Sequence, residues 1–219
     1  MAYHMRLMRK EDIHQVSEIS QEAFPTIWPP TNYKHELENR LAHYIVACDE
    51  EEITEEPVMI APLEENVSRL TYKVRRLFNN SRFFNRESSR LVNQRIIGFT
   101  GFWIMAGEAH IISIAVRSSN HGQGVGGMLL ISAIDLATEL NAQIITLEVR
   151  VSNIVAQSLY QKYGFVQMGL RRNYYTDDRE DALIMTIEDI TAAVFRERFQ
   201  QLKQSHSKKW GIALYHIVR

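Results

Sequence analysis

The sequence predicts an α/β domain in which strands alternate with helices and one strand pair forms a hairpin. Two observations carry this prediction. Apolar runs of strand length alternate along the chain with segments whose apolar residues recur at helical spacing. The central stretch also pairs a hairpin pattern, Ile96–Met105 and Ala109–Val116 around a turn at Gly107-Glu108, with a glycine-rich loop, an amphipathic helix and a further strand.

The elements follow in order. Arg6 to Arg9 reads as a short first strand, and Lys10-Glu11-Asp12 opens a helix carrying Ile13, Val16, Ile19 and Ala23 on one face. Phe24-Pro25-Thr26-Ile27-Trp28-Pro29-Pro30 breaks it. A second helix is expected from about Asn32 to Ala42, then a strand from Tyr44 to Cys48. After the hairpin, Leu129, Leu130, Ala133, Ile134, Ala137 and Leu140 mark a helix, and Ile144–Val149 a strand. Ser152 is the expected N-cap of a helix bearing Ala156, Leu159, Tyr160 and Tyr163, which Gly164 ends in a left-handed conformation. Phe165–Leu170 and Ala182–Ile187 complete the strands. The expected organisation is one domain over residues 1–190, interrupted by an insertion at about 50–93, with a helical extension over 191–219 that buries Val194, Phe195, Phe199 and Leu202.

Composition excludes several classes. A net charge of -1 gives no global field to draw the chain onto nucleic acid or membrane. The single cysteine, Cys48, sits in an apolar run, reads as a buried hydrophobe and allows no intrachain disulfide. No signal-peptide pattern and no run long enough to span a bilayer is present, so the expected compartment is the cytoplasm. No His, Cys or Asp spacing suits a metal. The insertion is the one strongly charged region. Acidic Glu50-Glu51-Glu52 and Glu55-Glu56 precede a basic run from Arg69 to Arg95, which is either a solvated segment with one amphipathic helix or a docking element for RNA or the ribosome.

Gly122-Gln123-Gly124-Val125-Gly126-Gly127 lies between a strand and a helix, where backbone N–H groups and the helix dipole favour a phosphate. The string also fits a dinucleotide fingerprint. Against that reading, Arg117–His121 separate the glycines from the strand, too few strand–helix units follow, and Glu148 lies inside a strand instead of at its exit. The alternative is a pyrophosphate cradle for coenzyme A, with Ile114, Ala115 and Val116 of the preceding strand offering backbone groups to the pantetheine arm.

Glu148 shares one strand face with Thr146 and Arg150, while Leu147 and Val149 share the other. A carboxylate there is either paired with Arg150 or functional. Tyr160 shares the apolar helix face of Ala156, and the aromatics Phe24, Trp28, Tyr174 and Tyr175 suit either a core or the walls of a cleft. His110 reads as structural.

The run His110–Val116 with Gly122–Gly126, and above all Leu147-Glu148-Val149-Arg150-Val151-Ser152-Asn153, Ala156, Leu159-Tyr160, Tyr163-Gly164-Phe165, Arg171–Tyr175 and Glu180-Asp181-Ala182 with Met185, resembles the GNAT superfamily of acetyltransferases. Within it the chain is similar to the bacterial ribosomal-protein-alanine N-acetyltransferases, the RimI family. The likeness covers Met5 to about Asp49 and Arg95 to about Ile187.

The resemblance implies a mixed, mostly antiparallel sheet, flanked by helices, that splays where acetyl-CoA inserts. It implies direct acetyl transfer to a protein N-terminal amine, an alanine of a ribosomal protein being the expected acceptor. Other protein N-termini or a small-molecule amine are alternatives, as is a non-catalytic ribosome- or RNA-docking module. By the same resemblance Glu148 is the general base and Tyr160 the acid, while Asn153 contacts coenzyme A in addition to its capping role. Gly122, Gln123, Gly124, Val125, Gly126 and Gly127 hold the pyrophosphate, a backbone N–H near Val116 stabilises the oxyanion, and Phe24, Trp28, Tyr174 and Tyr175 line the acceptor cleft. The loop departs from the family in having His121 and Gly122 where Gln or Arg and then Arg are usual, which implies weaker or differently anchored coenzyme A.

Overall fold

A computed structural model of the chain describes residues 3–26, 29–53 and 94–211, with the backbone only at 50–53. Trp28 and the basic insertion before Arg95 lie outside the described residues, as do 212–219. The strands are β1 (Tyr3–Leu7), β2 (Ala42–Ile53), β3 (Gln94–Met105), β4 (Glu108–Val116), β5 (Ile144–Arg150), β6 (Val166–Arg171) and β7 (Ala182–Ile187). The helices are α1 (Ile13–Ala23), α2 (Tyr33–Glu38), α3 (Val125–Glu139), α4 (Ile154–Lys162) and α5 (Ala193–Trp210). The strands form one sheet in the order β1-β2-β3-β4-β5-β7-β6. The β1–β2, β3–β4, β5–β7 and β6–β7 pairs are antiparallel, and β4–β5 is parallel. A sheet with one parallel step followed by antiparallel returns is not doubly wound, so the dinucleotide reading of the glycine loop is ruled out by topology.

Core burial follows the sequence periodicities. α3 is the most buried helix, with Met128, Leu129, Leu130, Ile131 and Ile134 inaccessible against the sheet alongside Ile97, Phe102, Leu147 and Met185. A second cluster, built on Val16, Ile19, Tyr33, Val46, Cys48, Ile96 and Phe99, contains the predicted buried Cys48. The start of α1 is fixed by a buried pair: the Arg6 guanidinium grips both Asp12 oxygens at 2.6 and 2.8 Å, and the Arg9 backbone N–H donates to Asp12 Oδ2 at 2.7 Å.

Several sequence expectations are corrected. β1 begins at Tyr3, and Lys10–Asp12 is a 3-10 turn ahead of α1. α2 stops at Glu38 because Asn39 is already extended, with φ -80° and ψ 117°. The hairpin turns on Ala106 and Gly107, both at positive φ, ahead of Glu108, matching the twist of a tight two-residue loop. Asn153, not Ser152, caps α4 through Oδ1 accepting from Ala156 N at 3.1 Å. Val194 is exposed, because α5 turns Phe195, Phe199, Leu202, His206 and Trp210 inward and Val194 lies about 100° away from that stripe. No helix among the described residues is long and apolar enough to cross a membrane.

Candidate active site

The parallel pairing of β4 and β5 runs only from Glu108↔Ile144 to Ile111↔Leu147. β4 continues to Val116 and β5 to Arg150, yet no rung joins them beyond that point. A bulge in β4 at Ile112 coincides with the parting, since Phe102 faces Ile111 and Gly101 faces Ser113. The result is the expected splay. Ile114, Ala115 and Val116 stay paired to β3 on one side and present an edge without a β5 partner on the other. Such an edge offers backbone groups to an extended amide-bearing ligand.

The glycine loop ends where that edge leads. Gly122 and Gly124 have φ of 74° and 85°, a left-handed region in which a side chain is strained. Gly124 is the N-cap of α3 and supplies no side-chain cap. The first-turn N–H groups of Val125, Gly126 and Gly127 therefore lack intrahelical acceptors, and the helix dipole adds partial positive charge. Around Gly122 a Cβ would meet nothing within 4 Å, so the loop is open there. Gln123 is committed elsewhere: its Oε1 accepts from Tyr3 Oη at 2.6 Å and its Nε2 donates to Ser119 O at 3.2 Å. His121 turns back onto Val116 O at 2.9 Å. This donor-rich, anion-seeking loop fits a pyrophosphate through backbone, not side chains.

Glu148 is the first residue of β5 past the parting point. Its side chain is only 6% exposed. It does not pair with Arg150. His110 Nε2 lies 2.5 Å from Glu148 Oε2, and Arg171 Nε lies 3.1 Å from Oε1. The hydrogen bond from His110 holds the Glu148 carboxyl below the usual range, against the opposing effect of burial, and the charge of Arg171 works in the same direction as His110. His110 is thus part of the site, although the sequence alone gave it a structural role. In the parallel register it sits opposite Thr146, two residues before Glu148 on the same face. That spacing was a usable signal only once the strand pairing was known.

Arg150 instead organises the β6–β7 loop. Its guanidinium contacts Asp177 at 2.7 Å, Asp178 at 2.8 Å and Glu180 at 2.9 Å, and lies 3.9 Å from the Tyr175 ring centroid. Asp177 also takes a hydrogen bond from Thr26, which ties the loop after α1 to this one; these contacts hold its carboxyl well below the carboxylate range. Tyr174 and Tyr175 meet edge to face at 5.2 Å, and Arg171 sits 5.7 Å from the Tyr174 ring. Tyr160 is nearly buried beside Phe165, and burial, with some help from Tyr175, pushes its hydroxyl to about 12. Burial likewise raises Tyr175 to about 12. Phe24 packs against the cluster under α1, so its surroundings are those of a core residue at the loop's base. In addition to burial, the Glu148 charge raises Tyr174 and Tyr175, and Asn153 caps the helix carrying Tyr160.

Comparison with known proteins agrees with this geometry. A model of the acetyltransferase (GNAT) family matches residues 55–165. The chain is 35% identical over 184 residues to a Bacillus subtilis (strain 168) protein provisionally named ribosomal protein bS18-alanine N-acetyltransferase, covering 84% of this chain and 93% of that one. It is 39% identical over 97 residues to the ribosomal protein bS18-alanine N-acetyltransferase of Escherichia coli (strain K12), covering 43% of this chain and 66% of the other. The crystal structure of the ribosomal-protein-S18-alanine N-acetyltransferase from Escherichia coli shares the fold, with a TM-score of 0.58 at 23% identity over 87% of this chain and 97% of that one. The matched family model and the relative aligned along most of both chains, with a shared fold beside them, make this chain an enzyme of the GNAT acetyltransferase family, related to the ribosomal-protein-alanine N-acetyltransferases.

Proposed function

We propose that the chain transfers an acetyl group from acetyl-CoA to a protein N-terminal amino group, with the N-terminal alanine of a ribosomal protein as acceptor and the cytoplasm as its place of action. Enzymes of the family use acetyl-CoA, and the relatives' names point to the acceptor. The observation that carries the reading is the placement of the ionised Glu148 carboxylate at the point where β4 and β5 separate.

Acetyl-CoA supplies an acyl group activated as a thioester. Backbone N–H groups of Val125, Gly126 and Gly127 bind its pyrophosphate, and the free edge at Ile114–Val116 aligns its amide arm. An N-terminal ammonium has a pKa of about 8, so most of it is protonated at pH 7 and cannot attack. Glu148, kept anionic and oriented by His110 and Arg171, attracts the ammonium and accepts its proton. The amine nitrogen then bonds to the thioester carbon while a β4 backbone N–H near Val116 steadies the oxyanion. As the C–S bond breaks, the still-protonated Tyr160 gives its proton to the leaving sulfur, and the attacking nitrogen sheds its second proton to the tyrosinate so formed, leaving a neutral amide. Tyr174 and Tyr175, on a loop braced by Arg150, are the aromatic side chains that line the acceptor's approach in this reading.

The test is incubation with acetyl-CoA and peptides beginning with Ala, Ser or Met, or carrying only an internal Lys, followed by mass spectrometry. A gain of one acetyl group on the Ala peptide is expected. Transfer to none of these amines refutes the reading.

A further inference from the structure

The C-terminal helix α5 closes against the underside of the glycine loop. Its first three turns are anchored by apolar packing and charge: Phe195 and Phe199 stack at 5.6 Å, Phe199 is buried, and Lys203 Nζ meets Asp135 of α3 at 2.6 Å. Its last two turns reach the α3 N-terminus. Buried His206 lies 3.0 Å from Gly124 O, so its Nε2–H donates to the carbonyl that also accepts the first α3 hydrogen bond, from Met128 N at 3.0 Å. A Cβ on Gly127 would lie 2.9 Å from His206 Nε2, and one on Gly124 would lie 2.7 Å from the pyrrole-ring atoms of Trp210. The glycines that make the loop fit a phosphate are thus also required by α5, which approaches their backbone as closely as an absent side chain allows. Burial lowers the His206 pKa and the nearby Lys162 and Lys209 act in the same direction, while the hydrogen bond to Gly124 opposes them.

We propose that His206 and Trp210 are positioning residues for acetyl-CoA: they fix the Gly124 peptide so that the α3 first-turn N–H groups stand ready for the pyrophosphate. The role rests on the reading of the loop given above. A cradle made only of backbone has no side chains to adjust, so its affinity depends on how firmly that backbone is held in advance. α5 supplies the hold from a segment remote in sequence.

The test uses the full chain, with isothermal titration of acetyl-CoA, steady-state kinetics on an Ala-first peptide and thermal unfolding. His206→Ala and Trp210→Ala should each raise Kd and KM for acetyl-CoA about tenfold, a loss of about 1.4 kcal/mol. The kcat at saturating acetyl-CoA and the peptide KM should stay near wild type. His206→Gln, whose amide N–H can donate to Gly124 O, should recover most of the affinity. Variants that lose Tm yet bind acetyl-CoA as the wild type does overturn the proposal, as does an equal effect on both substrates. If an alanine variant does not fold, Trp210→Phe, which removes the pyrrole ring lying on Gly124, should still weaken binding about threefold; wild-type affinity there overturns it too. A wild-type chain that fails to bind acetyl-CoA overturns the loop reading itself, and this control separates the two failures.

Discussion

Replacing Glu148 with Gln keeps the shape of the side chain and removes the charge. The native carboxylate sits in a side chain only 6% exposed, with one oxygen on His110 at 2.5 Å and the other on Arg171 at 3.1 Å. The acidic side chains Asp177, Asp178 and Glu180 of the β6–β7 loop are engaged with Arg150, so they are poorly placed to substitute. Loss of a positioned base lowers kcat/KM by about 10²–10⁴ at pH 7. The pH dependence separates proton removal from a purely steric effect. With an amine pKa of about 8, roughly a tenth of the acceptor is neutral at pH 7 and roughly nine-tenths at pH 9. The variant can use only that neutral fraction, whereas the wild-type carboxylate, held below its usual range, is ionised throughout. The ratio of wild-type to variant kcat/KM should therefore shrink about ninefold between pH 7 and pH 9. The assay is release of coenzyme A thiol with an Ala-first peptide, at matched ionic strength. A variant with wild-type activity at pH 7, or a ratio that stays constant or grows with pH, refutes the assigned role.

Tyr160→Phe should lower kcat by about a hundredfold, in the range of a lost general acid, while titration of acetyl-CoA gives an unchanged Kd. Arg150→Ala removes the cation shared by Asp177, Asp178 and Glu180 and its contact with the Tyr175 ring, so the peptide KM should rise with the acetyl-CoA KM unaffected, as steady-state kinetics with each substrate varied in turn will show. Asp12→Ala takes the carboxylate partner from the buried Arg6 guanidinium and should cost about 3–5 kcal/mol in urea unfolding at pH 7.

Local chemistry made the framework of the candidate site readable in the sequence, while the roles of Glu148 and Tyr160 came from the family resemblance. The β5 alternation put Glu148 opposite the buried face of Leu147 and Val149, glycine at positions needing positive φ marked the loop before α3, and Gly164 marked the end of α4. These features depend on neighbours within a few residues, and a side chain's face or a left-handed φ is a local property. Tertiary structure alone decided the partners. Nothing in the sequence said that Glu148 would meet His110 and Arg171 instead of Arg150, because strand pairing and the β4–β5 parting choose among several cations of equal local merit. Nor did it say that α5, legible only as an amphipathic helix, would set His206 and Trp210 against Gly124, 82 and 86 positions earlier in the chain. Periodicity specifies that a face is buried; which surface covers it is settled only when the whole core packs.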